Sequence, residues 1–183
     1  MSNEVIDALS QFHQRYLDNI RQASGQLPTI EQDEEWPSPC EQGAAGHGEV
    51  FWQPKTTNQE LDFAGMEHAL NLALHPDLKS YYASFYSYHL SARSEDGDLE
   101  LLQVWNQEDF NRLQENLIGH AMMKRKRRQP ETFFIAVTDD DEIIISVINE
   151  SGEVWAERVG QNPHRKLADS IPAFIHSLEA TQR

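Results

Sequence analysis

Between positions 4 and 24, apolar residues recur every third or fourth place: Val5, Leu9, Phe12, Tyr16 and Ile20, with Ile6, His13 and Leu17 widening the stripe. That period predicts an amphipathic helix over 4–24, stopped by Gly25. The pattern then breaks. Gly25, Pro28, Pro37, Pro39, Gly43, Gly46 and Gly48 predict a long loop over 25–48, its ends pinned by Trp36 and Trp52. A short apolar segment, 49–54, closes at Pro54. A second helix is predicted over 64–75, with Met66, Ala69, Leu70, Ala73 and Leu74 inward and Pro76 as its stop. Leu78, Tyr81, Tyr82 and Phe85 extend the helical spacing into one more stretch.

The period changes to two at Tyr86. Tyr86, Tyr88, Leu90 and Ala92 alternate with Ser87, His89 and Ser91, predicting a half-buried strand. A turn over 93–98 around Gly97 leads to a strand over 99–105. The spacing predicts a long helix over 107–126, with Phe110, Leu113, Leu117 and Ala121 inward and Ile118 and Met122 broadening that face. Strands are predicted over 132–137, 143–148 and 154–159. Between them lie Asp139-Asp140-Asp141-Glu142 and Asn149-Glu150-Ser151-Gly152, the latter a type I turn closed by a left-handed glycine. A last helix over 169–180 buries Ile171, Phe174, Ile175 and Leu178. It accommodates Pro172 only if Asp169 or Ser170 stands at its N-cap. The hairpin connections predict an α+β fold: one domain over 1–183, with a largely antiparallel sheet and helices packed around it.

Charge changes the picture most. Thirty Asp and Glu face fifteen Lys and Arg, a net charge of −15. Lys124-Arg125-Lys126-Arg127-Arg128 holds five of the positives, and removing them leaves −20. Such a surface repels nucleic acid and anionic lipid and attracts basic partners. The single cysteine, Cys40, forms no intrachain disulfide. The amino terminus does not read as a secretory signal. Apolar runs fall far short of the ~20 residues that span a bilayer. The chain reads as soluble and cytoplasmic.

Candidate chemistry is sparse. Cys40 with a histidine would make a nucleophile–base pair, yet Pro37-Ser38-Pro39-Cys40 matches no protease signature. His68, His75 and His120 lack zinc-ligand spacing. Asp139, Asp141 and Glu142 resemble part of a calcium loop without its glycine or distal glutamate, so a solvated turn is the better reading. The basic run closes a helix at the end where the dipole favours cations. Glu67, Asp98, Glu100, Glu108, Asp109 and Glu115 fall in or beside ordered elements. Held on a rigid scaffold, they are the candidate residues of a negative, partner-binding surface.

The segment 105–120 carries a resemblance. Trp105, Glu108-Asp109-Phe110, Arg112 and Gln114-Glu115-Asn116-Leu117-Ile118-Gly119-His120 are similar to the Syd family, the SecY-interacting proteins of Gram-negative bacteria. Pro37-Ser38-Pro39-Cys40, Phe51-Trp52-Gln53-Pro54, Phe134-Ile135-Ala136, Ile145-Ser146-Val147-Ile148-Asn149 and Ser151-Gly152-Glu153-Val154 agree with it. The hairpin from Glu95 to Leu101 is shorter than the family form, and Pro172 is unusual for it. The resemblance implies a SUKH-type α+β fold and a non-enzymatic protein without cofactor. It implies a peripheral position on the cytoplasmic side of the inner membrane, bound to basic cytosolic loops of SecY through a concave acidic surface. Its role there would be to regulate or quality-control the translocase, including sequestering uncomplexed SecY. Neither nucleic-acid binding nor lipid insertion is expected. Two other readings stand beside it: an immunity-type domain for another basic protein, and an enzyme built on Cys40 or His120. Reversal of Glu108 and Asp109 to Lys, and added salt, are expected to weaken binding of a basic partner.

Overall fold

The computed structural model describes residues 3–182. The first helix, α1, spans Asn3–Ser24 with Val5, Leu9, Phe12 and Tyr16 buried. Gly25 closes it in the left-handed region, and its amide donates to the Arg21 carbonyl at 2.7 Å.

The segment expected to be a loop instead holds a small antiparallel sheet. Thr29–Glu31 (β1), Glu41–Gly46 (β2) and Glu49–Trp52 (β3) pair in the order β1-β3-β2. β1 is three residues long, and β2 is mostly exposed and glycine-containing, so no apolar alternation announces either; β3 buries Val50 and Trp52. Lys55–Thr56 (β4) pairs with Phe85–Tyr86 (β5).

Helix α2 spans only Ala64–Leu70 and ends on a left-handed Asn71. Ala69 and Ala73, expected inward, are exposed. Pro76 starts a helix rather than stopping one. It opens α3 (Pro76–Ala83), where its missing N–H costs nothing. His75 caps that helix, Nδ1 accepting from the Asp77 amide at 3.1 Å.

The main sheet contains β6 (Leu90–Ser94), β7 (Gly97–Leu101), β8 (Thr132–Thr138), β9 (Ile143–Ile148), β10 (Val154–Arg158), β11 (Pro163–Ala168) and β12 (Glu179–Ala180). Its seven strands run in the order β11-β10-β9-β8-β7-β6-β12, every neighbour antiparallel. The alternation expected over 86–92 does not hold: Ser87 and Ser91 are buried and Tyr88 is 41% exposed. Edge strand β11, Pro-His-Arg-Lys-Leu-Ala, was not anticipated. Its exposed charges suit an edge and leave no apolar signal.

Helix α4 spans Gln107–Lys126, as predicted, although Met122 points outward and is 59% exposed. Helix α5 is shorter than expected, Ile171–His176. Ser170 caps it, Oγ accepting from the Ala173 amide at 3.2 Å, so Pro172 sits harmlessly in the first turn.

One face of the sheet buries Leu90, Leu101, Phe133, Val147 and Val154 completely, in a core continuous with α1, α3 and α5. β8 carries a bulge between Phe134 and Ala136, where Ile135 O accepts from the Leu102 amide at 2.9 Å. The hydroxyl of Tyr82 donates to Phe134 O at 2.7 Å and that of Tyr81 to Ile135 O at 3.0 Å, which ties α3 to the bulge. The β9–β10 turn is docked as well. Gly152 has φ +79°, and a Cβ there would lie 2.5 Å from the His75 ring. Both features restrict that position to glycine.

His13 lies inside this core, edge-on to Phe85, with Nε2 unpartnered. Burial lowers its pKa to about 3. Below the unfolded value of about 6.5 the unfolded chain takes up a proton that the folded chain refuses. The His13 contribution is therefore complete above pH 6.5 and is lost as pH falls towards 3. Between pH 7 and 4.5, native protein should lose roughly 2–3 kcal/mol more stability in urea melts than His13→Met; identical pH profiles would contradict this.

Candidate functional site

The amino end of α4 helps build an anionic hollow. Asn106 is the N-cap. Its Oδ1 accepts from the Asp109 amide at 2.8 Å, and its Nδ2 donates to Pro37 O at 2.9 Å. Asp109 Oδ2 accepts from the Trp105 amide at 2.8 Å. The Trp105 indole donates to Trp36 O at 3.2 Å, and Ser38 Oγ donates to Trp105 O at 2.5 Å. These bonds fasten the small sheet to the start of α4 and leave a cleft of about 170 Å³ between them.

Glu31, Asp33, Glu41 and Asp109 line the cleft with Trp36, Tyr88, His89, Gln103 and Trp105; among the described residues, no Lys or Arg does. A second cavity of about 560 Å³ shares Tyr88 and His89 and adds Glu100, Tyr16 and Trp52. The rings interlock: Tyr88 meets Trp52 edge-on at 6.0 Å and Trp105 at 5.8 Å. Glu31 stands directly opposite Glu49 in the β1–β3 register. Like charges so placed repel. From Gln22 to Pro54 the chain carries six acidic residues and no Lys or Arg. Among the described residues, no ion pair forms with any of the six.

The six acidic candidates fall in several places. Asp109 lines the cleft and Glu100 the adjoining cavity, so these two are brought together around Tyr88 and His89. Glu67 pairs with Lys79 at 3.0 Å and accepts from the Leu74 amide at 2.8 Å, bracing the corner between α2 and α3. Asp98 pairs with Arg93 at 2.8 Å and lines a separate cavity of about 380 Å³. Glu108 and Glu115 are exposed on α4 and line none of these cavities. Glu31, Glu41, Tyr88 and Gln103 were not singled out in the sequence. The signal that finds the acidic half is the absence of Lys and Arg over 22–54.

A model of the family described as Syd protein (SUKH-2) matches residues 6–180. A protein Syd of Colwellia psychrerythraea is 46% identical over 95% of this chain and 92% of its own. One of Alteromonas mediterranea is 48% identical over 87% and 88% of the two chains. One of Pseudoalteromonas atlantica is 38% identical over 99% and 98%. The chain belongs to the Syd family. The SUKH-type α+β fold expected from the resemblance stands.

The remaining candidates of the sequence sit elsewhere in this family member. Cys40 is fully buried, and burial pushes its thiol pKa to about 11, which keeps it protonated at neutral pH. His68 is exposed on α2, and His75 caps α3. Asp140 Oδ1 accepts from the Glu142 amide at 2.9 Å, an ordinary turn contact, and Glu142 pairs with Arg158. The basic run is dispersed: Arg125 pairs with Glu131 at 2.8 Å, and Arg127 donates to Gly160 O at 3.0 Å.

Lys124 turns inward, with no exposed surface, against Glu157 of β10, equally buried, at 3.4 Å. It also donates to Gln161 O at 2.7 Å. Glu157 Oε1 accepts from Thr132 Oγ1 at 2.9 Å and lies 3.1 Å from His120 Nε2. Burial alone would raise the Glu157 carboxyl pKa. The His120 hydrogen bond, the Lys124 charge and the Thr132 hydroxyl outweigh it and hold that pKa below the usual glutamate value. This cluster fixes α4 on the sheet, and with it the cap that positions the cleft. Lys124→Met strands a buried carboxylate and should cost roughly 3–5 kcal/mol in chemical denaturation, with Glu157→Gln added on top restoring part of it. A neutral single variant would contradict the assignment.

Proposed function

We propose that the protein is a non-enzymatic partner of SecY, held peripherally on the cytoplasmic face of the inner membrane. Its acidic cleft, with Asp109, Glu100 and the carboxylates of β1 and β2, grips basic cytosolic loops of the channel. The proposed role is regulation or quality control of the translocase, including capture of uncomplexed SecY. Among the described residues, no helix is long and apolar enough to cross a membrane, so attachment through a membrane partner suits the chain.

The observation that carries this reading is the cation-free segment over 22–54. Its six acidic residues over 22–54 face no Lys or Arg of their own segment and crowd one another at Glu31 and Glu49. Cytoplasmic loops of multispan membrane proteins carry excess Lys and Arg, whereas the lipid leaflet beneath them is anionic. The same field thus attracts the loops and repels the bilayer. Glu67, Asp98, Glu108 and Glu115 remain proposed outlying members of that field.

Glu31→Lys separates binding from folding. It puts opposite charges across β1 and β3, so stability should hold or rise. Binding to SecY-rich inverted inner-membrane vesicles should nevertheless fall roughly three- to tenfold, and added salt should weaken native binding. Protein-free liposomes of the same lipid should not bind. Salt-insensitive binding unaffected by Glu31→Lys would overturn the reading. Co-purification only with a cytosolic basic protein would favour the immunity-type alternative.

A further inference from the structure

The cleft holds more than negative charge. Gln103 lies on its wall and is only 4% exposed. Its Nε2 donates to Leu102 O at 2.9 Å, but its Oε1 receives no hydrogen bond. A buried acceptor left without a donor is costly unless something outside the chain supplies one. Beside it lie the ring of Trp105 and the ring of Tyr88, the latter 41% exposed. Asp109 uses Oδ2 for the Trp105 amide, and Oδ1 has no hydrogen-bond donor among the described residues. Glu41 uses Oε2 for the Ser38 amide at 2.6 Å, leaving Oε1 only a long contact of 3.5 Å with Gln32.

We propose that this cleft is an arginine seat: one guanidinium of the partner's basic segment lies against the Tyr88 ring and donates to the Asp109 and Glu41 carboxylates, and the enclosed Gln103 amide turns outward to offer it Oε1. The inference rests on the proposed reading of the cleft and narrows it from basic to arginine-selective. Charge alone does not distinguish the two cations, but these surroundings do. Guanidinium is planar, more weakly hydrated than ammonium, and carries five N–H donors in a fixed fork. It stacks on aromatic faces while donating in its own plane. A lysine ammonium offers a strongly hydrated point charge and gains less from the rings. The rim already displays the same chemistry, because Arg112 of this chain stacks over Trp36 at 4.7 Å.

The test titrates native protein with two short capped peptides of equal charge, arginines or lysines spaced by glycine and serine, and reads tryptophan fluorescence and heat. The arginine peptide should bind about fivefold or more tightly than the lysine peptide at low salt. Tyr88→Leu and Gln103→Met should each weaken the arginine peptide more than the lysine peptide and so shrink that preference. The native comparison stands even if a variant folds poorly. Equal binding of the two peptides would overturn the arginine seat but leave the acidic-cleft reading in place. A preference that survives both substitutions would place the selectivity elsewhere and overturn the seat. No binding of either peptide would remove both readings.

Discussion

A carboxylate with no exposed surface governs the arrangement of this molecule. Glu157 is tolerable in the interior only because Lys124, Thr132 and His120 answer it from two other elements. A buried ion pair of this kind adds little net stability over apolar packing, but its geometry is demanding. It admits few positions for α4 against β8 and β10. With α4 placed, Trp105, Asn106 and Asp109 at its amino end meet Trp36, Pro37 and Ser38. The small sheet hangs on those bonds. The shape of the cleft therefore follows from an ion pair at the opposite end of the same helix.

The distribution of cations completes that logic. Arg93, Arg125, Arg158, Arg165 and Lys166 pair with acids of the main sheet, its turns and nearby chain. Lys79 braces α2 against α3, and Lys124 is used in the core. None of these pairs reaches residues 22–54. A net charge of −15 is thus not balanced evenly: the segment 22–54 carries −6 with no Lys or Arg, and the rest of the chain carries −9 with all fifteen of them. On the proposed reading, the cation-free segment and the cleft it lines are the working surface. The crowding of Glu31 against Glu49 is then a folding cost that a basic partner relieves.

Elements with a strong apolar period were legible in the sequence: α1, α4 and strands β8, β9 and β10 stand close to their predicted bounds. Those that failed share a cause. Strand β1 is three residues long, β2 is exposed and glycine-containing, and β11 is a charged edge, so none has a long inward face to impose alternation. Pro76 lies at a junction where proline can either stop the helix before it or open the one after it. Only the His75 cap decides between them. The site was half legible. Charge and the family resemblance directed attention to the acids, but spacing along the chain could not tell that Glu67 and Asp98 are spent on Lys79 and Arg93. Nor could it tell that Lys124 leaves the surface run. The aromatic wall of Tyr88, Trp105 and Trp36 joins three separate segments and has no local signature.

The central claim is that partner contact falls on the cation-free segment 22–54 and the cleft it lines. The most direct measurement places a photoreactive side chain, one site at a time, at Glu31, at Tyr88 and at Glu142 on the far turn, and illuminates the protein with SecY-containing inner-membrane vesicles. The account expects SecY adducts from Glu31 and Tyr88 and none from Glu142. Adducts from Glu142 with none from the two cleft positions would contradict it.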